Sequence, residues 1–287
     1  MRSLRRVLIV QPYGIGDMLF LTPVLRALRL VPTVEKVDLL LGSRNDAAVK
    51  NNPHIDEIFT VDKDLFRRRG RFQNLRSVLD LGRELRNRRY DLLLDYSLRG
   101  EYAFFSRFFL NIPRRAGFAY KNRAFFHNIR LPLPEGFKER HVADHYCDLA
   151  EKAGLRVEDR FLEFYINPLD RVTVSDRMPG TAGRILVVSP GGGESWGKDA
   201  HFRRWPVPFF AKLAGRIYRD YEFDRCVLIG GAGDKDLAAE LAGQLEIPCF
   251  NLCGQLSLGE TAALMEKASL VIVNDSGLVH LGNSLRV

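Results

Sequence analysis

Along most of this chain, short runs of apolar and β-branched residues alternate with segments of helical period, and the alternation starts twice. The run RVLIVQ at Arg6–Gln11 predicts a first strand, followed by a helix over 18–30. Further strands are predicted at 37–41 (VDLLL), 58–61, 90–96 (YDLLLDY) and 114–118, with helices over 75–88 and 141–153. These strands are apolar on both faces, as a parallel sheet covered on both sides requires. The stretch 167–183 (NPLDRVTVSDRMPGTAG) is polar, broken by proline and glycine, and without sustained period, so it reads as a linker. Beyond it the alternation resumes. Strands are predicted at Ile185–Ser189, 226–229, 249–252 and Leu270–Val273, and helices over 208–219, 235–245 and 258–267. At 287 residues the chain exceeds the usual single domain. The expectation is an α/β protein of two Rossmann-like, doubly wound domains, 1–166 and 184–287, joined by 167–183. The C-terminal domain is expected to be incomplete, because the sequence stops about one helix after its last strand. Ligands of such sheets bind outside the carboxyl ends of the strands, here in a cleft between the domains.

The composition, 46% hydrophobic and 27% charged, is that of a globular protein, so no disulfide or metal staple is needed. The four cysteines, Cys147, Cys226, Cys249 and Cys253, lie in or beside apolar runs without a CxxC pair and read as reduced thiols in a cytoplasmic protein. No run of about 18 apolar residues is present to span a membrane. The basic, then apolar, N-terminus is too short in its apolar part for a signal peptide and reads as the first strand. Much of the net charge of +8 falls between Lys63 and Arg89. That cluster is either a solvated helix face or a surface for anionic headgroups or a phosphorylated acceptor. It has no accompanying nucleic-acid motif.

Four loops after predicted strands could carry chemistry. Pro12–Tyr13–Gly14–Ile15–Gly16–Asp17 follows the first strand and opens a helix, so Asp17 is either a helix cap or an acid at the ligand end of the sheet. It is not a dinucleotide fingerprint, since Leu19 stands where the third glycine belongs and Gly42 where the ribose-binding acid belongs. Ser189–Pro190–Gly191–Gly192–Gly193 lets backbone N–H groups approach an anion, with Lys198, Arg203 and Arg204 further on. Gly192 to Lys198 also spells the GxxxxGK phosphate loop. Asp199 then replaces the required Ser or Thr, and Pro206 and Pro208 interrupt its helix. Asn274–Asp275–Ser276–Gly277–Leu278–Val279–His280 ends a strand and begins a helix. Its first-turn N–H groups suit an anion, although an aspartate cap with a core histidine at 280 would read the same. Gly230–Gly231–Ala232–Gly233–Asp234 would admit a flat ligand, with an acid for ribose hydroxyls.

Taken together, the four loops resemble the glycosyltransferase family that includes the ADP-heptose:lipopolysaccharide heptosyltransferases. The resemblance rests on Gly16–Asp17 with Thr22–Pro23–Val24–Leu25–Arg26–Ala27–Leu28, on Arg203–Arg204–Trp205–Pro206, and on Asn274–Asp275–Ser276–Gly277 with His280–Leu281. Ser257–Leu258, and His141 with Asp144 before Ala153–Gly154–Leu155, are similar as well. It implies a GT-B fold and an inverting, metal-independent transfer with no cofactor beyond a nucleotide-sugar co-substrate, ADP-linked. Asp17 would be the general base, and Gly16 and His280 would be supporting residues of the site. Arg203, Lys198, Gly192, Gly193 and the backbone of Ser276, Gly277 and Leu278 would hold the diphosphate. Gly231, Asp234, Leu256 and Asp275 would hold the nucleotide. The partners implied are the donor and a lipid-linked anionic glycan acceptor, with peripheral association at the inner face of the inner membrane and no nucleic acid. Arg99, Arg114, Arg115, Lys121 and Arg123 are candidates for acceptor phosphates. Two rivals are a non-catalytic nucleotide-sugar or polyanion binder and an NTP-dependent kinase using Gly192 to Lys198.

Overall fold

The computed structural model describes residues 3–43, 45–61, 71–121, 123–178, 183–193 and 201–287, with the backbone alone at 71–75. The chain divides into two compact units, Met1–Leu162 and Glu163–Val287.

The first unit holds six strands: β1 (Arg6–Gln11), β2 (Lys36–Gly42), β3 (Glu57–Val61), β4 (Leu92–Asp95), β5 (Arg114–Ala119) and β6 (Ile129–Pro132). All pair in parallel, in the order β3-β2-β1-β4-β5-β6. The order reverses between β1 and β4, and there the loops leaving neighbouring strand ends diverge and open a crevice. Its helices are α1 (Ile15–Phe20), α2 (Thr22–Arg29), α3 (Arg71–Asn87), α4 (Gly100–Phe108) and α5 (Val142–Lys152). One core cluster includes Leu8, Val10, Leu40, Phe59, Leu85 and Leu93. Each such side chain contributes roughly 1.5–3 kcal/mol by leaving water.

The helix expected over 18–30 is two helices hinged at Leu21. Pro23 has no N–H to continue the ladder and takes a first-turn position of α2, while the Thr22 hydroxyl donates to the Leu19 carbonyl at 2.7 Å. Helix α4 and strand β6 were not expected. Phe104, Phe105, Phe108 and Phe109 give α4 no clean polar face, and β6 is only four residues long. Part of the arginine cluster is internal to the fold. Arg88 bridges Glu57 at 2.6 Å and the buried Asp38 at 3.3 Å, and Tyr90 donates to Asp38 at 2.7 Å. Residues 62–70 lie outside the described residues.

The second unit repeats the plan with β7 (Ile185–Ser189), β8 (Arg225–Leu228), β9 (Cys249–Asn251) and β10 (Leu270–Val273), parallel in the order β10-β7-β8-β9. Its reversal lies between β7 and β10. The helices are α6 (Pro168–Arg177), α7 (Val207–Asp220), α8 (Lys235–Gln244), α9 (Leu258–Glu266) and α10 (Gly277–Leu285). Leu186, Val188, Phe210, Cys226, Leu228 and Leu241 share its core.

Helix α6 occupies the first part of the polar stretch read as linker. Asn167 caps it by accepting from the Leu169 N–H at 3.0 Å, and Pro168 sits in its first turn. Polar contacts hold it to α9: Arg171 grips the Glu266 carboxylate at 2.7 and 2.8 Å, and Lys267 donates to Ser175 at 2.7 Å. A helix held mainly by charged pairs shows little apolar period in its sequence. No helix among the described residues is long and apolar enough to cross a membrane.

Candidate active site

In the first unit, β1 and β4 end side by side, with Val10 opposite Asp95. The turn after β1 places Gly14 as the N-cap of α1 and Asp17 on its first turn. The Gly14 N–H donates to Asp17 Oδ2 at 3.2 Å. Asp17 is therefore a cap, but its other oxygen does something a cap does not need. Tyr146, from α5, donates its hydroxyl to Asp17 Oδ1 at 2.9 Å, and Gln11 Nε2 donates to the same phenol oxygen at 2.7 Å. Gln11 and Tyr146 are both fully buried, and Tyr146 packs against Tyr96 at 4.7 Å between ring centroids. Among the described residues no cation pairs with Asp17. Burial pushes its carboxyl above the ordinary aspartate range, against the lowering effect of the bonds from Tyr146 and Gly14. The Tyr146 phenol is pushed well up by burial and by the Asp17 charge, so it stays a donor.

Around this carboxylate the turn is tied down. Tyr13 donates its hydroxyl to the Ser97 carbonyl, and Asn45 Nδ2 donates to the Tyr13 carbonyl. Behind Ser97 lies a buried pair: Asp95 Oδ1 accepts from the Ser97 N–H at 2.9 Å, and Asp95 Oδ2 lies 3.1 Å from His127 Nε2. Sequence reading missed Gln11, Tyr146 and His127. Only Tyr146 had a legible signal, since it falls on the buried face of α5 with Ala143, Leu149 and Ala150. The arginines proposed for acceptor phosphates divide. Arg114 donates to the Ala153 carbonyl, Arg115 is buried on backbone carbonyls, and Arg99 pairs with Glu101 at 3.1 Å.

In the second unit, β7 and β10 end together, with Val273 opposite Ser189. Asn274 ties three loops into one surface. Its Nδ2 donates to the carbonyls of Pro190 at 2.8 Å and Gly191 at 3.2 Å, and its Oδ1 accepts from the Trp205 N–H at 3.0 Å. Gly191 is required by contact, since a Cβ there would lie 2.4 Å from Asp234 Oδ2. Gly193 is required by conformation, with φ of +83°. It lies against Ser276, which brings Gly192 and Gly193 to the start of α10.

The cap of α10 is Ser276 rather than Asp275, with its hydroxyl accepting from the Leu278 N–H at 3.3 Å. The Leu278 donor is thus engaged, while Ser276 and Gly277 have no backbone N–H partner among the described residues. Arg203 donates to the exposed Asp275 carboxylate at 2.7 Å, and Arg204 reaches Asp234 at 3.4 Å. Asp234 is buried and also accepts from the Gly231 N–H at 3.1 Å, so its carboxylate supports the glycine loops from below. Leu256 and His280 are half-buried. Lys198 lies outside the described residues. The segment 194–200, which holds the rest of the GxxxxGK match, also lies outside the described residues, and α7 begins at Val207 after Pro206.

Two parallel units of this topology, each with polar loops at its reversal point, define a GT-B type α/β architecture, which solved structures share. Residues 78–287 match the model of glycosyltransferase family 9 (heptosyltransferase), and the chain belongs to that family and is a glycosyltransferase. It is similar to lipopolysaccharide heptosyltransferase 2 of Salmonella typhimurium, 23% identical over 292 residues that cover 98% of this chain and 80% of the relative. In structure it resembles the family 9 glycosyl transferase from Veillonella parvula, with a TM-score of 0.83 at 23% identity, covering 99% of this chain and 80% of that one. It also resembles E. coli heptosyltransferase WaaC with ADP-2-deoxy-2-fluoro heptose, with a TM-score of 0.72 at 20% identity over 98% of this chain and 86% of that one.

Proposed function

We propose that this glycosyltransferase moves a heptose from ADP-heptose to a lipid-linked, lipopolysaccharide-type acceptor in the cytoplasm, at the membrane face that carries the acceptor. The names of its relatives support the sugar and the acceptor, and the ADP-sugar analogue bound by a structural neighbour supports the donor. The reaction in this reading is a single inverting displacement without a metal. The first unit supplies the base and the second the donor cradle.

Asp17 carries the reading. It is a carboxylate at the ligand end of a parallel sheet, with no cation beside it among the described residues and its proton affinity raised by burial. As the acceptor oxygen forms its bond to the anomeric carbon, its proton passes to Asp17. The bond from that carbon to the diphosphate breaks, and ADP leaves with the electron pair. An ordinary aspartate is a weak base, and the upward shift improves the match to a hydroxyl proton. The charge gathered on the diphosphate is met by Arg203, which exchanges Asp275 for phosphate, and by the N–H groups of Ser276 and Gly277 at the positive end of α10. In this reading Gly192 and Gly193 complete the cradle, Lys198 is assigned to it from the sequence alone, and Gly231, Asp234 and Leu256 serve the nucleotide.

Asp17→Asn is expected to lower kcat by about 10²- to 10⁴-fold, the range of a lost general base, with the Kd for ADP-heptose kept within about twofold. Near-normal turnover would remove Asp17 from the role. Undiminished activity in EDTA is the matching expectation for the metal-free step, and strict Mg²⁺ dependence with ATP consumption would point to the kinase reading instead.

A further inference from the structure

Another feature of the first unit lies away from the β1–β4 reversal. Between the C-terminal end of α4 and the N-terminal ends of β5 and β6 is a cavity of about 720 Å³, lined by Arg107, Phe108, Arg115, Phe125, Asn128 and Arg130 among others. A smaller cavity of about 300 Å³ adjoins it and shares Arg107, Phe108, Arg115 and Asn128. Because every strand in this sheet is parallel, these residues stand at the opposite strand ends from Asp17, where the sugar chemistry has no use for them.

The charge of this cavity has no carboxylate partner among the described residues. Arg115 is 4% exposed, and a buried guanidinium ordinarily has a carboxylate partner. Here its bonds run to the backbone carbonyls of Phe126 at 2.8 Å, Pro113 at 3.1 Å and Ile112. Burial and the neighbouring Arg107 charge both pull its pKa down, the signature of a cation without a counterion. Arg130 is fixed by the carbonyls of His127 at 2.8 Å and Phe125 at 3.0 Å, and Arg107 lies over the Phe108 ring. None of the three makes an ion pair among the described residues.

The rim is apolar. Phe104, Phe108 and Phe125 are 50, 61 and 75% exposed, unusual for so many phenylalanines in one place. They join through Phe126, with ring centroids 5.1 Å from Phe104, 5.7 Å from Phe108 and 5.3 Å from Phe125. These three contacts are edge-on, and the outer rings stay largely exposed around Phe126. Arginines able to take a phosphate, beside exposed phenylalanines able to enter the acyl boundary, are the two elements of interfacial lipid binding.

We propose that this patch docks the protein on an anionic phospholipid bilayer, with lipid phosphate in the arginine cavity and Phe108 and Phe125 inserted beside it. The proposal names a surface for the membrane association in the reading above, and because its readout is binding it can fail while the transfer reading stands.

The test is co-sedimentation of the full chain with phosphatidylcholine vesicles, with and without phosphatidylglycerol. The wild type is expected on the anionic vesicles only. Arg107→Ala with Arg130→Ala is expected to weaken that binding about 30-fold, the effect of two surface arginines at about 1 kcal/mol each. Phe108→Ser with Phe125→Ser is expected to weaken it by about tenfold or more. All four positions are on the surface, so circular dichroism and Tm should match the wild type. Failure of the wild type to bind anionic vesicles overturns the proposal. So does equal binding by both double variants, or full displacement of the vesicles by duplex DNA, which would make the patch a polyanion site.

Discussion

The loop after β1 and the loop after β7 hold the same place in two sheets of one design, each at the end of a first strand beside the strand where the order reverses. Their chemistry is opposite. The first unit puts a carboxylate there, half-buried, with no cation beside it among the described residues and fixed by Tyr146 and Gly14. The second puts two arginines, glycines and a helix start there, with each arginine resting on an aspartate. Backbone topology therefore decides where a ligand meets each unit, and side-chain chemistry decides which part of the reaction that unit can serve. The units are also braced differently. In the first, the brace is the Gln11–Tyr146–Asp17 chain, which includes the reactive group itself. In the second, the brace is Asn274, which touches no candidate ligand contact except through the loops it joins.

That difference is open to test, and the largest effect is expected at Asn274. The Asn274→Ala change removes three hydrogen bonds from a buried position and leaves the Trp205 N–H and the carbonyls of Pro190 and Gly191 without partners. A loss of about 2–4 kcal/mol in urea unfolding is expected. Donor affinity should fall with it, because the glycine loop and the Arg203 segment lose their common anchor. A stable variant with normal donor affinity would show that the loops hold themselves.

The next effect separates the arginine from its acid. Arg203→Ala is expected to weaken ADP-heptose binding about 10- to 100-fold, the worth of a charge-assisted bond to phosphate. Asp275→Asn should leave affinity unchanged or improve it, since Asp275 holds Arg203 only until phosphate arrives. If calorimetry finds both variants equally weak, Asp275 contacts the nucleotide itself and the contrast between the units narrows.

The two units were not equally legible. Strand positions could be read in both, because a doubly covered parallel strand is apolar on both faces and RVLIVQ and ILVVS leave little else to fold into. Asp17 and the 274–278 turn could be read because each follows such a strand directly. Tyr146 could not be tied to Asp17, since 129 residues separate them and only the packing of α5 brings them together. Asn274 was visible as a letter in a motif, but its partners are carbonyls and an N–H, which have no sequence identity. Helix α6 hid in a polar stretch because ion pairs to α9 hold it, and the exposed phenylalanines of α4 obscured the face that would have marked a helix.

A smaller effect bears on the first unit's brace. The Tyr146 bond lowers the pKa of Asp17, while burial raises it more. Tyr146→Phe therefore leaves burial acting with less opposition, and the base should titrate at higher pH. Since the reaction needs ionised Asp17, kcat/KM rises with pH through this pKa. The acid limb of the variant should shift to higher pH, with its plateau largely kept. A shift toward lower pH would mean that the phenol acts on something other than the carboxylate.

The smallest effect is the most particular to a reactive group. Burial raises the pKa of Asp17 in the folded protein above its unfolded value, so the folded state holds this proton more tightly. Any stability it lends is present when the group is protonated, below the unfolded pKa, and is lost as pH rises through the folded pKa. At neutral pH the desolvated carboxylate is a net cost. Asp17→Asn carries no charge and, like the protonated acid, keeps one carbonyl acceptor, for the Gly14 N–H, while the Tyr146 hydroxyl loses its carboxylate acceptor. Its Tm should equal or exceed the wild type at neutral pH, and the gap should close as the pH falls below the folded pKa. A carboxylate that served only to cap α1 would behave otherwise, because removing its charge from a helix N-terminus lowers stability at neutral pH. A clear drop in Tm there would assign Asp17 to the helix rather than to the chemistry.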